Sequence, residues 1–216
     1  PLLLSSAASD VYKRQNLASF HKINYEDLEL SMIDKRSNES SHLHSDLQYY
    51  KSFMEWGMDG EANAFLEEVL LWLSENLPLN PNPKKLCWGD SRIGNVLFED
   101  FQVKSLLDWE MATIGDPLCD LAWGLTTDDV SSHGLNVEKL PGSISNEEAI
   151  KFWEENTGYS ADNFFYYRIL CLFKFSVIMI RVAKKLIHNE TMPLDSDFHV
   201  NNHVSNYLRQ EFNEKN

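Results

Sequence analysis

The segment 88–108, WGDSRIGNVLFEDFQVKSLLD, most limits the folds open to this chain, because it arranges three polar side chains around one short hairpin. Two β-prone runs, NVLFED and FQVKSLLD, predict that hairpin over about residues 95–108. The preceding apolar run, KKLCW, predicts a strand. Asp90 lies in the loop after that strand, while Asn95 opens the hairpin and Asp108 closes it. The three side chains are therefore expected to converge.

These side chains favour a magnesium-dependent chemistry. Carboxylate and amide oxygens suit Mg²⁺, which keeps several waters and shares substrate phosphates. The spacing D-x-x-x-x-N is that of the kinase catalytic loop, in which the Asp is the base and the Asn a magnesium ligand. On this interpretation Asp90 is the base of a phosphoryl transfer, while Asn95 and Asp108 hold the metal. The pair by itself leaves another interpretation open, because an Asp in a loop usually caps a turn.

The longer string WGDSRIGNVLFEDFQVKSLLDWEMATIGDPLCDLAW closely resembles the phosphotransferase family of the aminoglycoside and choline kinases. Members of that family read HGD-x-x-x-x-N and three apolar residues, then a hairpin, then (I/L)-D-(W/F)-E and G-D-P-x-x-D-L-A. The matching elements here are Gly89, Asp90, Asn95, Val96–Phe98, Leu107–Glu110, Gly115–Pro117 and Asp120–Ala122. Within the family, the run DWEMATIGDPLCDLAW is most similar to the branch that includes acyl-CoA-dehydrogenase-associated kinase domains.

The resemblance implies a mainly helical α+β fold, the C-terminal lobe of a protein-kinase-like structure, with a small β-hairpin at the catalytic site. It implies that Asp90 is the catalytic base and that Asn95 and Asp108 are the metal ligands. Asn95, Asp108 and Arg92 are then the expected contacts to the nucleotide. The implied cofactor is Mg²⁺, the co-substrate is ATP, and the partner is a small-molecule hydroxyl acceptor.

Neighbouring polar residues are expected to support this site. Glu110 is expected beside the metal, and Asp116 and Asp120 are expected to cap and orient the helix that begins at Pro117, rather than to act directly. Ser91 and Arg92 lie inside the loop, where they can touch phosphate or substrate; for Arg92 a surface position is the alternative.

Two departures from the family pattern stand out. Trp88 occupies the position of the family's His, which orients the loop, and its ring is expected to replace that His by packing. The family's N-terminal lobe, with a nucleotide-covering loop and a phosphate-binding Lys, is expected to be missing, because 16–87 offers no glycine-rich strand–turn–strand. Such a fragment is expected to be inactive as a kinase.

The first fifteen residues are expected to be foreign to the protein. SSAASDVYKRQ looks like the in-frame translation of a transposase adapter used in preparing sequencing libraries, so 1–15 is expected to be disordered. Residues 16–216 are then the kinase-like lobe, divided into a catalytic and metal loop at 86–122 and a helical substrate subdomain at 123–216.

Periodicity predicts the other elements. Residues 16–30 are interpreted as the end of a helix and its exit, and 34–45 as a polar loop in which His42 and His44 are solvated rather than metal ligands. A helix is predicted over 60–77 with Asp59 as its N-cap. Further predictions are a capping box at Ser145 and Glu148, a long buried helix over 161–189 and a last helix over 199–212.

Composition bounds the partners. The formal net charge of −14 argues against general electrostatic binding of nucleic acid, and it is compatible with a cationic ligand or with solubility alone. Cys87, Cys119 and Cys171 are widely separated in apolar settings, which predicts reduced thiols in a cytoplasmic protein. Lys174 and Arg181 interrupt the long apolar helix, so no membrane span is expected.

Alternatives of other classes remain open. A non-catalytic relative that binds nucleotide or a partner is suggested only by Trp88, and a metal-dependent hydrolase is disfavoured because no His-rich ligand set is present. The acidic balance suits a cationic acceptor such as an aminoglycoside, whereas the branch resemblance points to a hydroxyacyl thioester. The aromatic residues of the helical part are expected either to line the acceptor pocket or, preferentially, to pack in the core; they are Trp153, Phe164, Tyr167 and Phe173.

Overall fold

A computed structural model describes residues 15–30, 32–33, 42–100, 102–139 and 143–215. The helices among these residues are α1 (15–21), α2 (His42–Met58), α3 (Ala64–Glu75), α4 (Leu118–Asp129), α5 (Asn146–Thr157), α6 (Phe164–His188) and α7 (His203–Lys215). The strands are β1 (Lys85–Cys87), β2 (Val96–Glu99), β3 (Gln102–Leu106) and β4 (Thr113–Gly115). The mainly helical α+β fold expected from the resemblance is confirmed.

Helix α6 is the centre of the core, as its apolar composition predicted. Helices α2, α3, α4 and α7 all pack against it. Its side chains are buried on every face over residues 166–174, which is typical of a central core helix, and mainly on one face nearer its C-terminus. Full burial of each large apolar side chain contributes about 1.5–3 kcal/mol. The fully buried residues include Tyr167, Ile169, Leu170, Leu172, Phe173, Val177 and Ile180. Among the described residues, no helix has both the length and the apolar character needed to cross a bilayer.

Two small antiparallel sheets carry the loop of interest. Strands β2 and β3 form the predicted hairpin, with Val96 opposite Leu106 and a register irregularity between Leu97 and Phe98. The predicted strand at 84–88 is confirmed as β1, and it pairs with β4, which the sequence did not predict. Strand β4 consists of three residues, too few for an alternating pattern to be recognised.

The predicted loop at 34–45 is wrong for its last four residues. Residues 34–41 lie outside the described part of the chain, and α2 begins at His42. The polar composition around the two histidines concealed the start of an apolar stripe with helical spacing. Its buried members are Leu43, Leu47, Tyr50, Met54 and Met58. His42 and His44 are two positions apart on a helix and therefore point to different faces, so the two side chains are not placed to bind one metal ion together.

The predicted N-cap of α3 is also wrong. Asn63 caps the helix, because its side-chain oxygen accepts the N–H of Leu66 at 3.1 Å. Asp59 instead follows the end of α2 with φ of 54°, in the left-handed region. The capping box of α5 is confirmed, since the Ser145 hydroxyl accepts the Glu148 N–H and the Glu148 carboxylate accepts the Ser145 N–H.

The predictions for the last helices, the aromatic residues, the cysteines and the N-terminal residues have the following outcomes. The long helix begins at Phe164 and the last at His203, close to the predicted starts. Trp153, Tyr167 and Phe173 are fully buried core residues, and Phe164 packs against the core. Cys87 and Cys171 are buried, Cys119 is half-buried, and all are free thiols. Residues 1–14 lie outside the described part of the chain, where the expected disorder stays a prediction, whereas Gln15, also expected to be disordered, is helical.

A buried ion-pair network joins α4, α6 and α7. Arg168 Nη1 lies 2.6 Å from Asp129 Oδ2, and its Nε lies 2.7 Å from Glu211 Oε2. Burial by itself raises the pKa of both carboxyl groups, but hydrogen bonds from Lys139 and Arg168 to Asp129, and from Arg168 to Glu211, outweigh it. The pKa values of Asp129 and Glu211 are therefore lowered from 3.8 and 4.5.

The sign of these shifts predicts acid sensitivity. Carboxyl groups whose pKa is lowered on folding stabilise the fold above their unfolded pKa, and that stabilisation is lost as the pH falls through the folded pKa. We expect the free energy of unfolding in urea to decline as the pH drops below 4.5, the ordinary value for Glu211. Arg168→Met should flatten that decline, whereas Lys151→Met, in an exposed pair with Glu155, should leave it unchanged. An equally steep decline in Arg168→Met would contradict this account.

Candidate active site

The structure brings Asp90 and Asn95 into direct contact inside the loop that follows β1. The amide Nδ2 of Asn95 donates to Asp90 Oδ2 at 2.6 Å, and a short 3-10 turn (Ile93–Asn95) returns the chain to make that contact. Arg92 Nε donates to the same oxygen at 2.9 Å. Asp90 is only 8% exposed, so its carboxylate is held by these donors rather than by water. The five-residue spacing between Asp90 and Asn95 is thus explained by the single 3-10 turn that brings the two side chains together.

Asp108 lies at the same end of the hairpin. Leu107, the residue before it, donates its backbone N–H to the carbonyl oxygen of Asn95 at 2.8 Å. Asp108 itself adopts φ of 60°, a left-handed conformation that Asp tolerates better than most residues, and it is exposed. The hairpin therefore places an exposed carboxylate one residue away from the Asn95 contact.

Asp120, in α4, binds the backbone of the loop that follows β1. Its two carboxylate oxygens accept the backbone N–H groups of Trp88 at 2.6 Å and Gly89 at 2.8 Å. Ser91 donates its hydroxyl to the Asp120 carbonyl at 2.5 Å and is fully buried. The expectation that Ser91 touches phosphate or substrate is therefore wrong. Asp120 was expected to cap α4, and that expectation is wrong. Its side chain instead fixes the backbone of the loop that follows β1.

A buried histidine from α1 completes this support. His21 Nε2 lies 3.2 Å from Asp120 Oδ2, and His21 Nδ1 accepts the indole N–H of Trp153 at 3.1 Å. Because an indole nitrogen can only donate, Nδ1 is the acceptor and Nε2 carries the proton that points to Asp120. No local pattern indicates this contact, since His21 and Asp120 are 99 positions apart.

Asp116 caps α4, as predicted, and also joins three other parts of the fold. Its Oδ1 accepts the Leu118 N–H at 2.8 Å, and its carboxylate accepts both the backbone and side-chain N–H of Asn82, at 2.9 and 3.1 Å. The Tyr167 hydroxyl donates to Asp116 Oδ2 at 2.8 Å. Burial first, and then the Asp116 charge, raises the pKa of Tyr167 far above its usual range, so this hydroxyl remains a donor.

Trp88, at the position of the family histidine, makes a hydrogen bond as well as a packing contact. Its side chain is 1% exposed, and its Nε1 donates to the Leu107 carbonyl at 2.8 Å. The expected packing is also present, because the ring centre of Trp88 lies 6.1 Å from that of Trp109. Trp88 therefore ties the catalytic loop to the residue immediately before Asp108.

Trp88→Phe is expected to lower the free energy of unfolding by about 1–3 kcal/mol, because it removes the donor to the Leu107 carbonyl. Trp109→Phe is the matched control. The Trp109 indole also donates to a backbone carbonyl, that of Leu106, but its side chain is 40% exposed and water can replace the bond. Urea unfolding of both variants measures the difference, and equal losses would rule out a special role for Trp88.

The donor set fits a magnesium ion. Because Asn95 turns its Nδ2 toward Asp90, its side-chain oxygen faces away from that carboxylate, and Asp108 offers an exposed carboxylate nearby. Both are ligands that Mg²⁺ prefers. Glu110 is exposed and lines a cavity with Gly89 and Met111. Within the described residues no group of three or more His, Cys, Asp or Glu side chains could hold a metal, so phosphates and water would supply the other ligands.

Comparison with known proteins identifies the family of this chain. The sequence profile of the phosphotransferase enzyme family matches residues 15–144. The chain belongs to the phosphotransferase enzyme family. This family match includes the whole of the catalytic loop, the hairpin and α4.

Relatives with curated names share this region. "Acyl-CoA dehydrogenase family member 11" of Gallus gallus is 33% identical over 147 residues, 62% of this chain and 19% of that protein. Its Pongo abelii counterpart is 31% identical over 142 residues, 61% of this chain and 18% of that protein. The chain thus spans about a fifth of the length of these relatives.

Solved structures of phosphotransferases have the same fold. A candidate aminoglycoside phosphotransferase of Ralstonia eutropha superposes with a TM-score of 0.75 at 16% identity, covering 97% of this chain and 64% of that one. Plasmodium vivax ethanolamine kinase superposes with a TM-score of 0.62 at 13% identity, covering 96% of this chain and 60% of that one. At these identities the likeness establishes the fold alone.

Proposed function

We propose that the whole protein is a kinase that uses ATP and Mg²⁺ to phosphorylate a hydroxyl group of a small molecule. The observation that carries this proposal is the arrangement around Asp90, a buried carboxylate fixed by Asn95 and Arg92 at the end of a hairpin that also presents Asp108. Family membership supports phosphotransfer in general.

Each residue has a role that follows from its position. Asp90 accepts the proton of the acceptor hydroxyl, because it is a carboxylate held in place by nitrogen donors. Asn95 and Asp108 would hold the magnesium ion, which when bound neutralises charge on the nucleotide phosphates. The Arg92 side chain is 52% exposed, so while Nε donates to Asp90, the guanidinium remains accessible to a phosphate.

For the acceptor, a hydroxyacyl thioester is the better-supported class. The curated relatives carry the name of acyl-CoA dehydrogenases, enzymes whose substrates are acyl thioesters, and a kinase acting on a hydroxylated thioester would suit such a polypeptide. An aminoglycoside is the alternative, in keeping with the net charge of −14. The non-catalytic alternative, suggested by Trp88, stays the second candidate; the hydrogen bond from Trp88 to the Leu107 carbonyl supports a loop held in place despite the missing histidine.

We place the reaction in the cytoplasm and expect the 216-residue chain by itself to be inactive. In the described residues the paired strands are β1 with β4 and β2 with β3. The two residues between β2 and β3 in the sequence, 100–101, include no glycine, and β1 and β4 are separated by more than twenty residues. Neither pair is a glycine-rich cover for nucleotide phosphates.

The experiment is a phosphoryl-transfer assay on the full-length protein. A hydroxyacyl-CoA, the corresponding acyl-CoA without the hydroxyl, and kanamycin are each incubated with ATP and MgCl₂, and the products are identified by ³¹P NMR. A phosphate ester formed only from the hydroxyacyl-CoA is expected. Phosphorylation of kanamycin alone would support the alternative acceptor, and ATP binding without any transfer would support a non-catalytic protein.

A further inference from the structure

The remaining contact to Asp90 comes from helix α4, through Trp123, which ends the string that carries the family resemblance but lies one position beyond the pattern G-D-P-x-x-D-L-A. The indole Nε1 of Trp123 donates to Asp90 Oδ1 at 2.7 Å. Trp123 lies three residues after Asp120, so both side chains project from the same face of α4. That face therefore contacts consecutive loop residues: Asp120 binds the backbone before Asp90, and Trp123 binds the Asp90 side chain itself.

The Trp123 ring cannot easily turn away from this bond. It is 4% exposed, and its ring centre lies 5.8 Å from that of Phe175. Lys174 Nζ lies 5.9 Å from the ring centre and pairs with Asp46 at 3.2 Å. A cation over an indole ring is attracted to the face of the ring, and this favours the observed orientation. The packing therefore fixes the direction in which the indole N–H points.

The three nitrogen donors divide unequally between the two oxygens of Asp90. In the part of the chain that the structure describes, Oδ2 accepts from Asn95 and from Arg92, while Oδ1 accepts from Trp123 only. Each carboxylate oxygen has about two lone-pair directions in its plane. Both directions on Oδ2 are used, whereas Oδ1 keeps one that can receive a proton.

We propose that Oδ1 of Asp90 is the atom that takes the acceptor's proton, and that Trp123 is the positioning residue that aims it. This inference rests on the proposed function. In the transfer the acceptor O–H bond breaks and its proton moves to Oδ1. The acceptor oxygen forms a bond to the γ-phosphorus, and the bond from that phosphorus to the bridging oxygen of ADP breaks. The proton later leaves Asp90 for solvent, so atoms and charge balance.

One arm of the test examines the hydrogen bond in the 216-residue chain and needs no activity. The indole N–H resonance of Trp123 is assigned in a ¹H–¹⁵N spectrum as the one lost in Trp123→Phe. Asp90→Asn should move that resonance upfield, because a bond to a charged oxygen is replaced by a weaker one. The indole resonance of Trp72, a half-buried residue of α3 whose ring contacts Phe165 and Phe212, should stay in place. An unmoved Trp123 resonance would overturn the inference whatever the protein's activity.

The second arm measures the positioning role in the full-length enzyme. Trp123→Phe keeps a ring but removes the donor, so kcat should fall about 10- to 100-fold while the KM for ATP stays near wild type. The melting temperature should also fall, because a donor to a buried carboxylate is lost, but the protein should remain folded at the assay temperature. Trp72→Phe is the matched control and should leave kcat unchanged. An unchanged kcat in Trp123→Phe, or equal losses in kcat and melting temperature for both variants, would overturn the positioning role. A wild-type enzyme that transfers no phosphate would contradict the proposed function instead, leaving the result of the first arm intact.

Discussion

Asp90→Asn is expected to reduce phosphoryl transfer by the full-length protein about 10²- to 10⁴-fold, the usual contribution of a positioned general base. The substitution keeps the size and shape of the side chain but removes the proposed proton acceptor, and its new amide NH₂ faces at least one of the donors Asn95, Arg92 and Trp123, so the fold of the variant is checked directly. The loss should appear in kcat rather than in the KM for ATP, because the proposed role of Asp90 is to act on the acceptor hydroxyl and not on the nucleotide. Its neighbours Asn95, Arg92 and Trp123 are retained in the variant.

Steady-state kinetics with a hydroxyacyl-CoA as acceptor measure this effect. Asp162→Asn, an exposed carboxylate in the turn before α6, is the control for a general effect of removing one negative charge. Circular dichroism should show equal folding of all three proteins. Wild-type turnover by Asp90→Asn would exclude Asp90 as the base.

Gly89→Ala is expected to destabilise the protein by about 3 kcal/mol or more and to remove activity. Gly89 has φ of 90°, and a Cβ there would lie 2.5 Å from the carbonyl carbon of Met111. A left-handed conformation costs a residue with a side chain about 1–2 kcal/mol, and the clash adds to that cost. Because backbone atoms on both sides are fixed, the N–H of Gly89 would also move away from Asp120.

Gly60→Ala separates the two contributions. Gly60 has nearly the same φ, 89°, but nothing lies within 4 Å of a Cβ placed there. Its substitution should cost only the conformational strain, about 1–2 kcal/mol, and should leave activity unchanged. Urea unfolding measures the difference between the two variants. Equal destabilisation would show that the close approach of Met111 to the catalytic loop is unimportant.

The elements that the sequence predicted correctly have local signatures. The β2–β3 hairpin follows from two β-prone runs close together, and the capping box of α5 needs only Ser145 and Glu148 at the right spacing. Asp116 next to Pro117 likewise predicted the start of α4 to within one residue. Contact between Asp90 and Asn95 was also predictable, because a single short turn joins them.

The support of the site could not be predicted, because it depends on contacts between distant parts of the chain. Trp123 is 33 positions from Asp90, and Asn82 is 34 positions from Asp116. Trp123 directly follows the motif residues Asp120–Ala122, but that motif does not indicate which distant side chain its indole contacts, and Asn82 resembles an ordinary loop residue. The start of α2 was missed for a different reason, because the polar residues around His42 resemble a loop until the spacing of Leu43 and Leu47 is considered.

The magnesium dependence of phosphoryl transfer tests the central claim most directly. The claim is that one loop and one hairpin provide the base and the metal ligands. The Mg²⁺ concentration that gives half-maximal transfer is measured for the full-length wild type, Asn95→Ala and Asp108→Ala at saturating ATP. We predict a rise of about tenfold or more in both variants, equivalent to about 1.4 kcal/mol of lost binding. Transfer that needs no divalent cation, or the same Mg²⁺ requirement in all three proteins, would contradict it.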